Sequence, residues 1–201
     1  MLEVSLLKNL MCNFFYVFFK IFDTMGMKDV ETLEQRFEYA EKVVEESKYS
    51  KPILFLDHDG VMCLTTDSEH YSWRGKLYRF KAKAVKVLNE IIELTDCNIV
   101  VTSDWRHEFS LKELQAYYKD MGVIKSPIAV TGFEPCAICQ QEFARCKEIN
   151  KFIEEHNVER YCVVDDMKLE LVHNFVWTWN VREGIKQSGV KERIVNYLQN
   201  T

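Results

Sequence analysis

Short apolar runs of strand length alternate along this chain with stretches whose apolar positions recur at helical spacing. Ile53-Leu54-Phe55-Leu56 is the first run, Asn98-Ile99-Val100-Val101-Thr102 the second and Tyr161-Cys162-Val163-Val164 the third. Ile128-Ala129-Val130 and Phe175-Val176-Trp177 are further strand candidates. Between them, Val85, Leu88, Ile91 and Ile92 give Ala82 to Thr95 one apolar helical stripe. Ser110 with Glu113 has the spacing of a capping box and opens another helix. Gln141 to His156 reads as a third helix and Val190 to Leu198 as a short closing one. Strand and helix in alternation predict an α/β fold, a parallel sheet covered by helices on both faces.

The start of the chain has a different pattern. Leu10 to Phe22 is strongly apolar, with Phe14, Phe15, Tyr16, Val17, Phe18 and Phe19 following Asn13 and preceding Lys20. The run is short for a membrane span, and it lacks the basic flank and small-residue cleavage site of a secretory signal. A core-packing or interfacial helix is the preferred reading, ahead of a membrane or partner anchor and of a true start at Met25 or Met27. Val30, Leu33, Phe37, Ala40 and Val43 then form an amphipathic stripe. The expected organisation is an apolar extension over 1–27, an amphipathic helix over 28–50 packed on the domain, and one α/β domain over 51–201.

Composition narrows the class without changing the outline. With 201 residues, 47% of them hydrophobic, the chain can bury one sizeable core. Seven cysteines, an odd number, point to a reducing, cytoplasmic setting. Cys136 and Cys139 have zinc-like spacing and Cys146 follows, but a structural zinc site needs four ligands and no second pair occurs. The histidines show no metal spacing either.

The candidate chemistry lies where strands stop. Asp57-His58-Asp59-Gly60 ends the first run, and a strand returns to the same face every second residue. Asp57 and Asp59 could therefore point the same way, an arrangement that suits Mg2+, which prefers oxygen ligands, and equally suits a nucleophile beside an acid/base. His58 points the other way, toward local packing or the substrate rim. The second run ends in Ser103-Asp104-Trp105-Arg106 and the third in Asp165-Asp166. Open parallel sheets bind ligands beyond the carboxyl ends of their strands, and three polar strand ends are what such a crevice requires.

From about Lys51 to about Asn180 this order of residues resembles the haloacid dehalogenase (HAD) superfamily of phosphotransferases. The resemblance implies a HAD-like Rossmannoid sheet in which Asp57 attacks phosphorus to form an aspartyl-phosphate. Asp59 would protonate the leaving oxygen and then activate water, and Ser103 would hold a phosphate oxygen. Asp165 and Asp166 would hold Mg2+ with Asp57 and the backbone carbonyl of Asp59. More narrowly, Trp73-Arg74-Gly75, Ser103-Asp104-Trp105-Arg106, and Arg145 followed by Glu148-Ile149 resemble phosphatase-type domains of modular RNA-repair proteins. The family also needs a basic residue on phosphate. Arg145 shares the apolar stripe of Ile149 and Phe152, which must face the sheet, whereas Lys147 shares the wet side with Lys151 and Glu154. Arg145 is preferred and Lys147 is the second choice.

Residue order separates this pattern from receiver domains, whose acidic pair comes first. Only about twenty residues lie between Asp59 and the helix near Ala82, room for a short hairpin flap but no cap domain. From His70 to Asn89 acidic residues are absent, while Arg74, Lys76, Arg79, Lys81, Lys83 and Lys86 alternate with Tyr71, Trp73, Tyr78 and Phe80 in a chain of net charge -5. Cations track phosphates and aromatic faces stack on unpaired bases. Trp73, Arg74, Lys76 and Arg106 are the candidate substrate contacts. The preferred expectation is a Mg2+-dependent phosphatase acting on phosphorylated RNA or DNA ends. A nucleotide or small-molecule phosphatase, a phosphomutase and a noncatalytic phosphate-binding module are the alternatives.

Overall fold

A computed structural model describes residues 48–64, 79–135 and 141–200 in full, and the backbone alone of residues 72–73 and 76–77. The expected extension over 1–27, the stripe from Val30 to Val43, Arg74 and the Cys136–Cys139 spacing lie outside the described residues.

The compact unit that spans Glu46–Thr201 begins with β1 (Ile53–Leu56), whose four residues are all buried. An antiparallel pair, β2 (Ser72–Trp73) and β3 (Lys76–Leu77), follows as the expected short hairpin. Then come α1 (Ala82–Thr95), β4 (Asn98–Val101), a 3-10 turn (Asp104–His107), α2 (Leu111–Asp120) and β5 (Ala129–Val130). The chain closes with α3 (Gln141–Glu155), β6 (Tyr161–Asp165), β7 (Phe175–Trp177), a 3-10 turn (Gly184–Lys186) and α4 (Val190–Gln199). Five strands form one sheet in the order β5-β4-β1-β6-β7, every pairing parallel. Among the described residues no helix is long and apolar enough to cross a membrane.

Strand period sorts the core into two layers. Leu54, Leu56, Ile99, Val101, Cys162 and Val164 face one side, where α1, α2 and α4 cover them with Val85, Leu88, Ile91, Tyr117, Tyr118, Ile194 and Leu198. Ile53, Phe55, Val100 and Val163 face the other side, beneath Cys146, Ile149 and Phe152 of α3. Burying one such side chain stabilises the fold by about 1.5–3 kcal/mol, so the central strand, buried on both faces, is the part of the domain least free to shift.

Helix boundaries follow local chemistry. At α2 the expected capping box is complete, with the Ser110 hydroxyl accepting from the Glu113 N–H and the Glu113 carboxylate accepting from the Ser110 N–H. α1 stops at Asp96, which adopts a left-handed conformation and donates its N–H to the Ile92 carbonyl. Lys51 and Lys125 both donate to the Asp96 carboxylate, at 2.6 and 2.7 Å, tying that corner to the chain before β1 and before β5.

Candidate active site

Topology places β1 between β4 and β6, so the residues just beyond these three strands are neighbours. The Asp57 N–H donates to the Val164 carbonyl and the Thr102 N–H to the Leu56 carbonyl, which extends the ladder one step past the strand on each side. Ser103 thus emerges on one side of Asp57 and Asp165 on the other. Asp165 is the last residue of β6 itself, one position further into the strand than the apolar run suggested.

The same period that sorts the core sorts the site. Asp57 continues the face of Ile53 and Phe55 and turns toward α3, where Arg145 lies one turn before Ile149. His58 continues the face of Leu54 and Leu56. It is fully buried, hydrogen-bonded through Nε2 to the Tyr118 hydroxyl at 2.8 Å and packed edge-on against Phe80 and Trp105. Burial, with Arg145 nearby, lowers its pKa to about 3, so it sits neutral in the core, as the local-packing reading expected.

Beyond β1 the chain reverses within a few residues. The His58 carbonyl accepts from the N–H groups of Val61, Met62 and Cys63, and Gly60 turns through a positive φ of 69°. A Cβ at Gly60 would lie 2.2 Å from Asp166 Oδ2, so only glycine leaves that carboxylate in place.

Asp57, Asp165 and Asp166 each offer a carboxylate oxygen, all within 4.8 Å of one another. Arg145 reaches into this group. Its Nη1 donates to Asp57 Oδ1 at 3.2 Å and to Asp165 Oδ2 at 2.8 Å, and its Nη2 donates to Asp104 Oδ1 at 2.8 Å. Burial raises the Asp57 pKa well above the ordinary carboxylate range, Asp165 adds to the rise, and Arg145 opposes it. Asp165 is raised to about 6, again chiefly by burial, against the lowering effects of Arg145 and the Met167 N–H. Burial raises Asp166 as well. For Arg145, burial alone would lower the pKa, but Asp165, Asp57 and Asp104 overcome it and raise it. One guanidinium is too little positive charge for three convergent carboxylates. An oxygen-only, charge-deficient cluster fits a hard divalent cation such as Mg2+.

Asp59 stands apart from that cluster. Its Oδ2 accepts a 3.0 Å hydrogen bond from the Trp105 indole N–H. The residue is exposed at the mouth, yet desolvation by its surroundings still raises its pKa, against the lowering effect of the indole bond. Ser103 is buried at the head of the 3-10 turn, and its hydroxyl accepts from the Trp105 N–H at 3.4 Å.

Two expected phosphate or substrate contacts sit elsewhere. Lys147 is exposed, its ammonium 4.7 Å from the Phe143 ring centroid, on the wet side of α3. Arg106, the other expected substrate contact, is turned into the protein. Its side chain is 3% exposed and donates to Glu148 at 2.5 Å and to the Thr102 and Gly132 carbonyls, locking the turn after β4 onto α3. Trp73 and Lys76 belong to the hairpin by their backbone, and their side chains lie outside the described residues.

Three residues with clear positions in the site were not singled out from the sequence. Asp104 bridges Arg145 and, at 3.4 Å, Arg106. Glu148 closes the pair with Arg106 and also accepts from the Glu134 N–H. Trp105, 4% exposed, carries the bond to Asp59. All three belong to segments singled out as motifs, and the i, i+3 spacing of Arg145 and Glu148 was the available signal that both face inward.

A family model described as the HAD domain in Swiss Army Knife RNA repair proteins matches residues 53–189. No curated protein and no solved structure matches the chain.

Proposed function

The chain belongs to the family of HAD domains in Swiss Army Knife RNA repair proteins, and from that premise we propose that it is a Mg2+-dependent phosphoric monoester hydrolase acting on nucleic-acid terminal phosphates. The observation that carries the reading is the convergence of Asp57, Asp165 and Asp166 around the Arg145 guanidinium.

The side chains of Asp57, Asp165 and Asp166 and the backbone carbonyl of Asp59 would hold the ion. Mg2+, when bound, supplies charge neutralisation and polarisation of phosphoryl oxygens. Asp57 Oδ attacks phosphorus as the bond from phosphorus to the leaving oxygen breaks, giving an aspartyl-phosphate. Asp59 enters that step protonated and gives its proton to the leaving oxygen, a role its raised pKa suits. The deprotonated Asp59 then takes a proton from water, whose oxygen attacks the same phosphorus. Inorganic phosphate leaves and Asp57 is restored. Arg145, held by Asp57, Asp165 and Asp104, would set its guanidinium charge against the charge that develops on the phosphoryl oxygens, and Ser103 would offer its hydroxyl from the head of the 3-10 turn.

The family's description favours a nucleic-acid end as substrate. The shortness of the β2–β3 hairpin supports an open site, and the exposed Arg79, Lys83 and Lys86 continue the basic run into α1. Phosphate release from 3'-phosphorylated oligonucleotide, 5'-phosphorylated oligonucleotide and mononucleotide, with Mg2+ and with chelator, tests the proposal. Turnover of an oligonucleotide end that needs Mg2+ and vanishes in Asp57→Asn is the expected result. Equal activity in chelator, or phosphatase activity in purified Asp57→Asn, contradicts it, and preference for the mononucleotide moves the substrate class to small phosphates.

A further inference from the structure

Among the described residues, four aromatic rings pack around Trp105 and fix its plane. His58 contacts it at 4.6 Å between centroids, Tyr117 at 5.4 Å, Phe80 at 5.9 Å and Phe109 at 6.1 Å. The backbone is fixed as well, since the Trp105 carbonyl accepts from the N–H groups of Glu108 and Phe109. From this rigid seat the indole N–H emerges toward Asp59 and donates to Oδ2 at 3.0 Å. Asp59 itself lies in the loop that reverses at Gly60, and its other carboxylate oxygen makes no hydrogen bond with a described residue. An exposed aspartate side chain without the indole would sample several rotamers.

We propose that Trp105 is a positioning residue for the acid/base step: its indole N–H fixes Oδ2 of Asp59 and thereby aims Oδ1 at the leaving oxygen of the substrate. This rests on the hydrolase reading above and adds to it the residue that orients the acid. An indole is suited to the task because it donates one hydrogen bond and accepts none. It therefore cannot take the transferable proton from Asp59, and the proton is left for the oxygen that faces the substrate. Proton balance in the step is unchanged, with Asp59 giving its proton to the leaving oxygen and recovering one from water.

Leaving-group chemistry separates orientation of an acid from general support of the fold. A p-nitrophenolate leaves readily without protonation, whereas an alkoxide does not. In Trp105→Phe, kcat/KM for glycerol phosphate should fall by about 10- to 100-fold, part of the 10^2 to 10^4 that a general acid supplies, and kcat/KM for p-nitrophenyl phosphate by about 3-fold. The variant should also release a burst of nitrophenol near one equivalent per enzyme, because Asp59 activates water less well in the second step. Equal losses on both substrates would show that Trp105 only supports packing and overturn the inference, as would no loss on either. If Trp105→Phe does not fold, site-specific benzothienylalanine at 105 keeps the ring shape without the N–H and must show the same divergence. Wild-type protein that releases phosphate from neither ester nor from a phosphorylated oligonucleotide end would sink the hydrolase reading itself, an outcome distinct from failure of the variant.

Discussion

Arg145→Met in metal-free protein tests the charge balance of the site. The side chain is 6% exposed and its partners Asp57 and Asp165 are 7% and 0% exposed, so all three charged groups are buried. Removing one partner of such a group leaves the others uncompensated and costs about 3–5 kcal/mol. For a domain of this size each kcal/mol moves Tm by about 2–4 °C, which gives a drop of roughly 6–20 °C. The loss must depend on pH. Asp57 and Asp165 already have raised pKa values, and without the guanidinium they rise further. Between the unfolded carboxylate range near 4 and those raised values the folded variant binds more protons than the unfolded chain, so its stability falls as pH rises through the window. Thermal melts in EDTA at pH 5 and pH 8 should therefore show the larger deficit at pH 8. Saturating Mg2+ should recover part of it, about 2.7 kcal/mol at one hundred times Kd. A variant that melts with the wild type in EDTA at pH 8 would refute the claim that Arg145 compensates buried charge.

Further outcomes follow from single contacts. Gly60→Ala should weaken Mg2+ binding by calorimetry and lower Tm, because a left-handed alanine costs about 1–2 kcal/mol and its Cβ would strike Asp166; wild-type affinity would show that Asp166 is not a ligand. Mg2+ affinity in the wild type should decline below about pH 6, since Asp165 is raised to about 6 and must lose its proton to ligate; affinity that is flat from pH 5 to 8 would contradict this. Glu148→Gln should lower Tm by leaving the buried Arg106 cation with only the exposed Asp104 carboxylate, 3.4 Å away, as a charged partner, whereas Lys147→Ala, on the exposed side of α3, should leave stability within about 0.5 kcal/mol and oligonucleotide kcat within about twofold, as expected for surface changes.

Much of the scaffold was readable because periodicity is a local property. Each of the five apolar runs became a strand, and strand parity alone sent Asp57 toward the helix of Arg145 and His58 into the opposite layer. Helical period likewise separated Arg145 from Lys147. What could not be read were partnerships between distant segments. Arg106 has the chemistry of a phosphate clamp and of a buried ion pair alike, and only the docking of α3 brings Glu148, 42 positions away, against it. Trp105 and Asp59 are 46 positions apart and meet because β4 lies beside β1. A tryptophan after a strand reads as core, and core it is. Its one polar atom faces the site only once the neighbouring loop is in place.

Reductive trapping tests the central claim most directly. Borohydride converts an aspartyl-phosphate to homoserine, so protein quenched during turnover of a phosphorylated oligonucleotide with Mg2+ should carry homoserine at position 57 by peptide mass spectrometry, and none when substrate or Mg2+ is omitted. Turnover at full rate with an unmodified Asp57, or with the reduction product at another residue, would contradict the assignment of Asp57 as the nucleophile.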